Sequence, residues 1–374
     1  MTSVPASDQP LPVANQQHMP RHGRLQERRR RLMRRMVDGL LGHGTSPCAP
    51  GTLPTTGIHR ILVLRPNHRL GNVLLVGPLL AELERLYPGA EIDVVAAGTA
   101  AAEVFSTYPT VRHVISLHQR IVRHLPSTAV LLHRMRATGY DLAIEAGGGS
   151  QSGRLLLAMT RARYKIASSR DASADAGAPS HMALRAVHLL RRAYAGDASG
   201  PWPVMDIRLT DEERNKGRAL LGKVLGNVPA SGDGLTVAIF ANATGSKRYG
   251  EDWWARFIEA LFDRRADVRI VEVVAAHAVS QLNLRHATFY SRDLRKMAAV
   301  IAAADVFVSA DCGVMHLAAA SGTRTFGLFS VTDQRKYAPY GRGNAAIDNQ
   351  DGDPVAAARI VAAHLSGLLD QGMS

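Results

Sequence analysis

The stretch ADVFVSADCGVMHLAAASGTRTFGLF, residues 304–329, decides how the chain folds. Its DVFVSAD segment (305–311) is a compact apolar run of the kind a strand buried on both faces requires, and it ends at Asp311. Cys312 and Gly313 turn the chain, and a helix begins near Val314. Such a strand–turn–helix junction points backbone N–H groups into a crevice where the helix dipole favours an anion. Gly313 permits close approach of a ligand or a positive φ. Taken alone, the junction serves equally as a diphosphate cradle or as an N-capping Asp before an ordinary turn.

Outward from this junction the chain alternates strand and helix. On the carboxyl side, MHLAAASG (315–322) continues the helix, TRTFGLFS (323–330) ends in a loop, and DPVAAARIVAAHLSGLLD (353–370) is a last helix. On the amino side come helix 211–226, strand 235–243, helix 252–265, strand 268–276 and helix 293–304. The first half repeats the pattern: strand 58–66, a Gly-containing turn and helix over 70–89, strand 90–98, a short helix over 100–109, strand 111–117, a helical stretch at 120–138 and strand 140–148. Residues 167–180 are small and turn-rich, 182–196 is helical, and GPWP (200–203) breaks the chain. The expected class is α/β, with two doubly wound parallel sheets and a ligand cleft at the carboxyl ends of the strands. The expected divisions are an N-terminal segment 1–56, a first domain 57–200, a second domain 201–352 and a terminal helix 353–374.

The 374 residues suffice for two ordinary domains, and 46% hydrophobic with 21% charged residues is normal for a globular protein. Cys48 and Cys312, the two cysteines, stand in unrelated contexts, so neither a disulfide framework nor a zinc site is expected. The net charge is +13, of which RHGRLQERRRRLMRR (21–35) supplies +7 through eight Arg and one Glu. Before it, residues 1–20 are polar and Pro-rich and read as disordered. Leu25, Leu32, Met36 and Leu40 share one helical face, so residues 21–41 read as a basic amphipathic helix attracted to an anionic membrane surface, or as a basic tail, free or packed on its own protein. Nucleic acid is not an expected partner. No apolar run is long enough to cross a bilayer and no secretory signal is apparent, which suits a cytoplasmic protein.

The 304–329 stretch resembles the signature of glycosyltransferase family 9, the lipopolysaccharide heptosyltransferase family: an Asp–Ser/Thr–Gly turn followed by a His and a run of alanines, here Asp311, Cys312, Gly313, His316, Ala318, Ala319 and Ala320. The phrase LFSVTDQ (328–334), continued by RKYAPYG (335–341), is similar to the segment that follows in that family. So are FANATGSKRYGEDWWARFIEAL (240–261), with its Lys shortly before Trp, YDLAIEAGGGSQSGRLLLAMTRARYKIA (140–167) and ILVLRPNHRLGNVLLVGPLLAELERLYPGAEIDVVA (61–96). The resemblance covers roughly 58–365 and implies the GT-B fold, two Rossmann-like domains facing across a cleft.

It also implies roles. The donor is a nucleotide diphosphate sugar, with ADP-heptose favoured, and no metal or other cofactor is expected. Lys247 reaches a phosphate oxygen of the leaving group, where a compact ammonium suits a diphosphate. Thr244 and Ser246 flank it as hydroxyl donors. Asp311 contacts the donor sugar, Cys312 replaces the usual hydroxyl with a weaker donor, and Gly313 and Val314 offer backbone N–H groups. His316 either faces the phosphates or is a core histidine. Family members carry Gly-Asp in the first β–α turn, with the Asp as general base; here the turn reads RLGNVLL, with Gly71 followed by Asn72. An amide cannot take a proton at neutral pH. His68 is the nearest substitute on the same loop, or else Asn72 only positions the acceptor, or the acceptor specificity differs from the family's. Arg65 and Arg69 suit an anionic acceptor. The leading expectation is an inverting transfer of a heptose-like sugar to a lipopolysaccharide-core or other glycolipid or oligosaccharide acceptor, with cleft closure by domain rotation. The alternatives are a sugar-nucleotide-binding protein that has lost catalysis, and an epimerase or hydrolase on the same fold.

Overall fold

The computed structural model describes residues 48–117, 133, 135–167, 177–226 and 234–372. The basic arm 21–41, most of the helical stretch 120–138, and 168–176 of the small-residue loop lie outside the described residues. No described helix is long and apolar enough to cross a membrane. Both cysteines are free thiols.

The first sheet contains β1 (Arg60–Arg65), β2 (Glu91–Ala97), β3 (Val111–Leu117), β4 (Tyr140–Glu145) and β5 (Ala162–Ile166), all parallel, in the order β3-β2-β1-β4-β5. The second contains β6 (Thr236–Phe240), β7 (Arg269–Val274), β8 (Ala287–Tyr290), β9 (Val306–Ala310), β10 (Arg324–Phe329) and β11 (Ala345–Asp348), all parallel, in the order β11-β10-β9-β6-β7-β8. The helices are α1 (Leu70–Leu74), α2 (Gly77–Leu86), α3 (Ala100–Val104), α4 (Gln151–Met159), α5 (Met182–Ala195), α6 (Asp211–Val224), α7 (Glu251–Phe262), α8 (Leu294–Ile301), α9 (Gly313–Ala320), α10 (Gln334–Tyr337) and α11 (Pro354–Gly372).

The central strands are apolar throughout because helices cover both faces of each sheet. Ile61 and Val63 of β1 face Leu79, Leu83, Val187 and Leu190 of α2 and α5. The alternate residues Leu62 and Leu64 face Leu156 and Leu157 of α4, as the two-residue period of a strand requires. In the second sheet, Val237 and Ile239 face Trp254 and Phe257 of α7 and Val361 and Leu365 of α11. The terminal helix is thus part of the second sheet's cover. TRTFGLFS, read as leading into a loop, forms strand β10, and β8 and β11 lie at the two ends of the sheet. These last two are four residues each, too short to show a period in the sequence.

An extended segment carries the chain from the first sheet to the second, and its carbonyls are held. Buried Arg191 of α5 grips both oxygens of Glu82 on α2 at 2.8 and 3.0 Å, and donates to the carbonyls of Ser199, Gly200 and Pro201 at 3.1, 3.2 and 2.7 Å. Tyr108 donates to the Asp206 carbonyl, and Arg295 of α8 donates to those of Ile207 and Arg208 at 3.1 and 3.0 Å. Helix α6 then opens with a capping box in which the Thr210 and Glu213 side chains each accept the other residue's backbone N–H.

Gly217 of α6 sits where that helix meets α8: a Cβ there would lie 2.1 Å from the Ala299 carbonyl oxygen. Gly→Ala in an open helix gains roughly 0.5–1 kcal/mol, whereas forcing a methyl into packed backbone costs about 1–3 kcal/mol. Gly217→Ala is therefore expected to destabilise the protein by about 1–2 kcal/mol, read from the urea midpoint. A stabilised variant would show that the two helices do not meet at this point.

Candidate active site

In each sheet one neighbouring pair of strands sends its connections to opposite sides, and a crevice opens at their carboxyl ends. In the second sheet that pair is β6 and β9. The loop after β6 makes a tight turn over Gly245–Lys247, and β9 runs directly into Asp311. Lys247 and Asp311, 64 positions apart, therefore meet: Lys247 Nζ donates to Asp311 Oδ2 at 2.7 Å. Thr332, after β10, donates its hydroxyl to the same oxygen at 2.7 Å. Asp311 is buried and Lys247 partly open. Asp311 Oδ1 accepts nothing among the described residues, and the ammonium retains two of its three donors. The crevice thus offers a cation, a carboxylate oxygen and the N-terminus of α9 in one place.

Helix α9 begins at Gly313 with Cys312 as its N-cap, and no side chain caps its first turn. Burial pushes the Cys312 thiol up, keeping it neutral, and its sulfur lies 3.8 Å from the Ser309 hydroxyl. Gly313 and Val314 are half-buried; Thr244 and Ser246 are exposed on the turn that carries Lys247.

His316, one turn into α9, is 3% exposed, and its Nδ1 is buried without a partner. Burial drives its imidazole down to about 4; Asp311 opposes that shift, and His181 and Lys247 reinforce it. The ring lies against the first half of the molecule, since a Cβ on Gly71 would stand 2.7 Å from His316 Cδ2. A Cβ on Gly313 would stand 3.1 Å from the Gly71 backbone nitrogen. Gly71 and Gly313 let α1 and α9 touch backbone to backbone, which brings the crevices of the two sheets together.

The crevice of the first sheet lies between β1 and β4, whose last residues are Arg65 and Glu145. Arg65 is 5% exposed. Its Nη2 donates to Asn72 Oδ1 at 2.7 Å and its Nε to the Asn72 carbonyl at 3.0 Å. Burial works against its charge and Glu145 works for it. Glu145, fully buried, accepts from the backbone N–H groups of Gly147 and Gly149 at 2.7 and 2.9 Å and from the Ser150 hydroxyl at 3.1 Å. His68 and Arg69 are exposed on the loop between β1 and α1. His68 makes no hydrogen bond among the described residues, whereas Asn72 is tied to Arg65. Glu145 and Thr332 carried no role in the sequence reading, although both lie inside segments quoted there for the family resemblance.

The unfolded chain binds a proton on residue 316 near the ordinary histidine value of 6.5, and the folded chain only near 4. Between these values the unfolded state holds more protons, so stability is full above about 6.5 and falls as the pH drops toward 4. His316→Gln should flatten that slope in denaturant titrations; an unchanged slope would mean the imidazole titrates alike in both states.

Residues 129–357 match glycosyltransferase family 9 (heptosyltransferase). The lipopolysaccharide heptosyltransferase 1 of Escherichia coli (strain K12) is 24% identical over 297 residues, which is 76% of this chain and 91% of that protein. The solved E. coli heptosyltransferase WaaC with ADP superposes with a TM-score of 0.61 at 21% identity, covering 82% of this chain and 99% of that one. E. coli ADP-heptose lps heptosyltransferase II gives 0.60 at 19% identity, covering 84% and 100%. With two parallel α/β sheets meeting at their crevices and a family match across more than half of its length, the chain has the two-domain GT-B fold and belongs to glycosyltransferase family 9, the heptosyltransferases.

Proposed function

We propose that this glycosyltransferase moves a heptose-like sugar from ADP-heptose, with inversion, to an anionic cell-envelope glycan acceptor. The observation that carries the reading is the Lys247–Asp311–Thr332 cluster at the carboxyl ends of β6 and β9, beside the uncapped start of α9. The diphosphate lies against α9 and the free donors of Lys247, where charge grows as the bond to the sugar breaks. Asp311 Oδ1 takes a sugar hydroxyl. Thr244 and Ser246 donate from the turn, and the N–H groups of Gly313 and Val314 from the helix start. An acceptor from the Arg65–Asn72 side attacks in line, displacing ADP in one step. The names of the relatives, heptosyltransferases and one solved with ADP, support the choice of donor. No resident metal is required when a lysine and helix N–H groups stabilise the leaving group. Arg65, Arg69 and Gly71 form the acceptor wall, and the Arg-rich segment 21–41 holds the enzyme at the inner face of the cytoplasmic membrane.

A second reading, a nucleotide-sugar-binding protein without transfer, is favoured by Asn72 alone. Calorimetric titration separates donor binding from turnover. Lys247→Ala should weaken ADP about tenfold or more, roughly 1.4 kcal/mol. Folded wild-type protein that binds neither ADP nor another nucleoside diphosphate would sink the donor site. Thr332→Val, which removes one of the two donors to Asp311 Oδ2, should cost ADP-heptose affinity by about 1 kcal/mol while leaving ADP nearly unchanged; equal losses for both would mean that Asp311 does not contact the sugar. ADP binding without ADP release in the presence of acceptor would favour the second reading.

A further inference from the structure

The acceptor side of the crevice is built from donors. Arg65 has no acceptor atom, so the Asn72 side-chain atom that faces its Nη2 at 2.7 Å is the carbonyl oxygen. The bond from Arg65 Nε to the Asn72 carbonyl, at 3.0 Å, fixes the backbone of the same residue. The amide is thereby turned with Nδ2, a double donor, as its free end; Nδ2 has no partner among the described residues. Arg65 is buried, yet it forms no ion pair among the described residues, and its Nη1 donates to none of them. Glu145 lies close enough to favour its charge but makes no hydrogen bond to it, so one donor of this buried cation is left unmatched. Glu145, the nearby carboxylate, is already taken by two backbone N–H groups and the Ser150 hydroxyl. Gly147 borders both Nη1 and the Glu145 carboxylate, since a Cβ there would stand 2.9 Å from that nitrogen and closer still to Glu145 Oε1.

A hydroxyl nucleophile needs a proton acceptor, and the candidates are occupied or remote. Asp311 Oδ2 is held by Lys247 and Thr332 and its Oδ1 is given to a donor-sugar hydroxyl in the reading above, Glu145 is fully buried under two backbone N–H groups and the Ser150 hydroxyl, His316 is packed behind Gly71, and His68 is out in solvent. An oxygen that arrives already ionised needs none. We propose that the attacking atom of the acceptor is an anionic oxygen, of a phosphate or a carboxylate, held by Arg65 Nη1 and Asn72 Nδ2. A lone pair on that oxygen forms the new bond to the anomeric carbon. The bond from that carbon to the donor's distal phosphate oxygen breaks, and its electron pair leaves on ADP beside Lys247. No proton changes hands, and one anion replaces another. Exposed Arg69 and His68 at the rim draw the acceptor in. The inference deepens the donor-site reading above and rests on it.

The test uses the full chain with ADP-heptose, after calorimetry has established ADP binding. Inorganic phosphate, acetate and, as a neutral hydroxyl, glycerol are compared by ADP release and by the mass of the product. Heptosyl phosphate or heptosyl acetate should form at least about tenfold faster than heptosyl glycerol, and the faster of the two anions identifies the acceptor group. Asn72→Asp has the same shape but presents a negative charge; it should cut the anion-dependent rate by about tenfold or more while ADP affinity stays within about twofold. Glycerol used as fast as the anions would overturn the proposal. So would Asn72→Asp raising transfer to glycerol with the anion rate unchanged, or a protein that binds ADP but gains nothing from phosphate or acetate. Failure to bind ADP at all would instead strike the donor-site reading.

Discussion

Two glycines without side chains set the separation of the two half-sites. A Cβ on Gly71 would collide with the ring of His316, and one on Gly313 would press on Leu70 and on the Gly71 nitrogen. Because neither exists, α1 and α9 cross at backbone distance, and the short helix that carries Asn72 stands beside the turn that begins at Asp311. Each turn is the product of its own sheet: strands buried on both faces end together, and at the switch point the chain leaves in opposite directions. The sheets supply the crevices, and the glycine crossing joins them into one site.

The two walls of that site differ in chemistry. On the second sheet a lysine, an aspartate and a threonine are mutually satisfied but retain free groups, an arrangement suited to a ligand with a diphosphate and hydroxyls. On the first, a buried guanidinium holds an amide whose free end is a donor, with the buried Glu145 carboxylate nearby. His316 lies between the walls as a neutral ring, its charge suppressed by burial against the pull of Asp311. Desolvation is the largest influence on the ring, and the neighbouring His181 and Lys247 act in the same direction.

Much of the fold was legible in the sequence because its central strands are continuous apolar runs and its helices have regular periods. Val306–Ala310 followed by Asp-Cys-Gly reads as a strand entering a helix, and the structure has that junction. The edge strands β8 and β11 were not legible: each has only four residues, too few to carry a period, although each pairs with the strand just before it in the chain. For the site, types and spacing pointed to Lys247 and Asp311, but not to their ion pair, nor to Thr332 as the second donor. Asn72 was visible as a departure from the family pattern. That Arg65 dictates which end of its amide is free is a matter of tertiary geometry and could not be read from spacing. The same holds for Glu145, whose three donors come from the glycine turn that follows it.

The strap between the sheets bears on how the enzyme moves. Domain rotation needs a few residues whose backbone angles are free to change. Arg191 holds three successive carbonyls at residues 199–201, and Tyr108 and Arg295 hold those at 206–208. Only the short run 202–205 between these clamps is left to act as a pivot, and Tyr340 also donates to the Pro203 carbonyl within it. Arg191 and Glu82 both pack on the first sheet, so a rotation at 202–205 would leave that pair intact; the bonds it would strain are those from Tyr108 to the Asp206 carbonyl and from Tyr340 to the Pro203 carbonyl. The clamps on either side thus confine any rotation of the two halves to a few residues of backbone, so the path of closure is set by the strap rather than by the faces that meet.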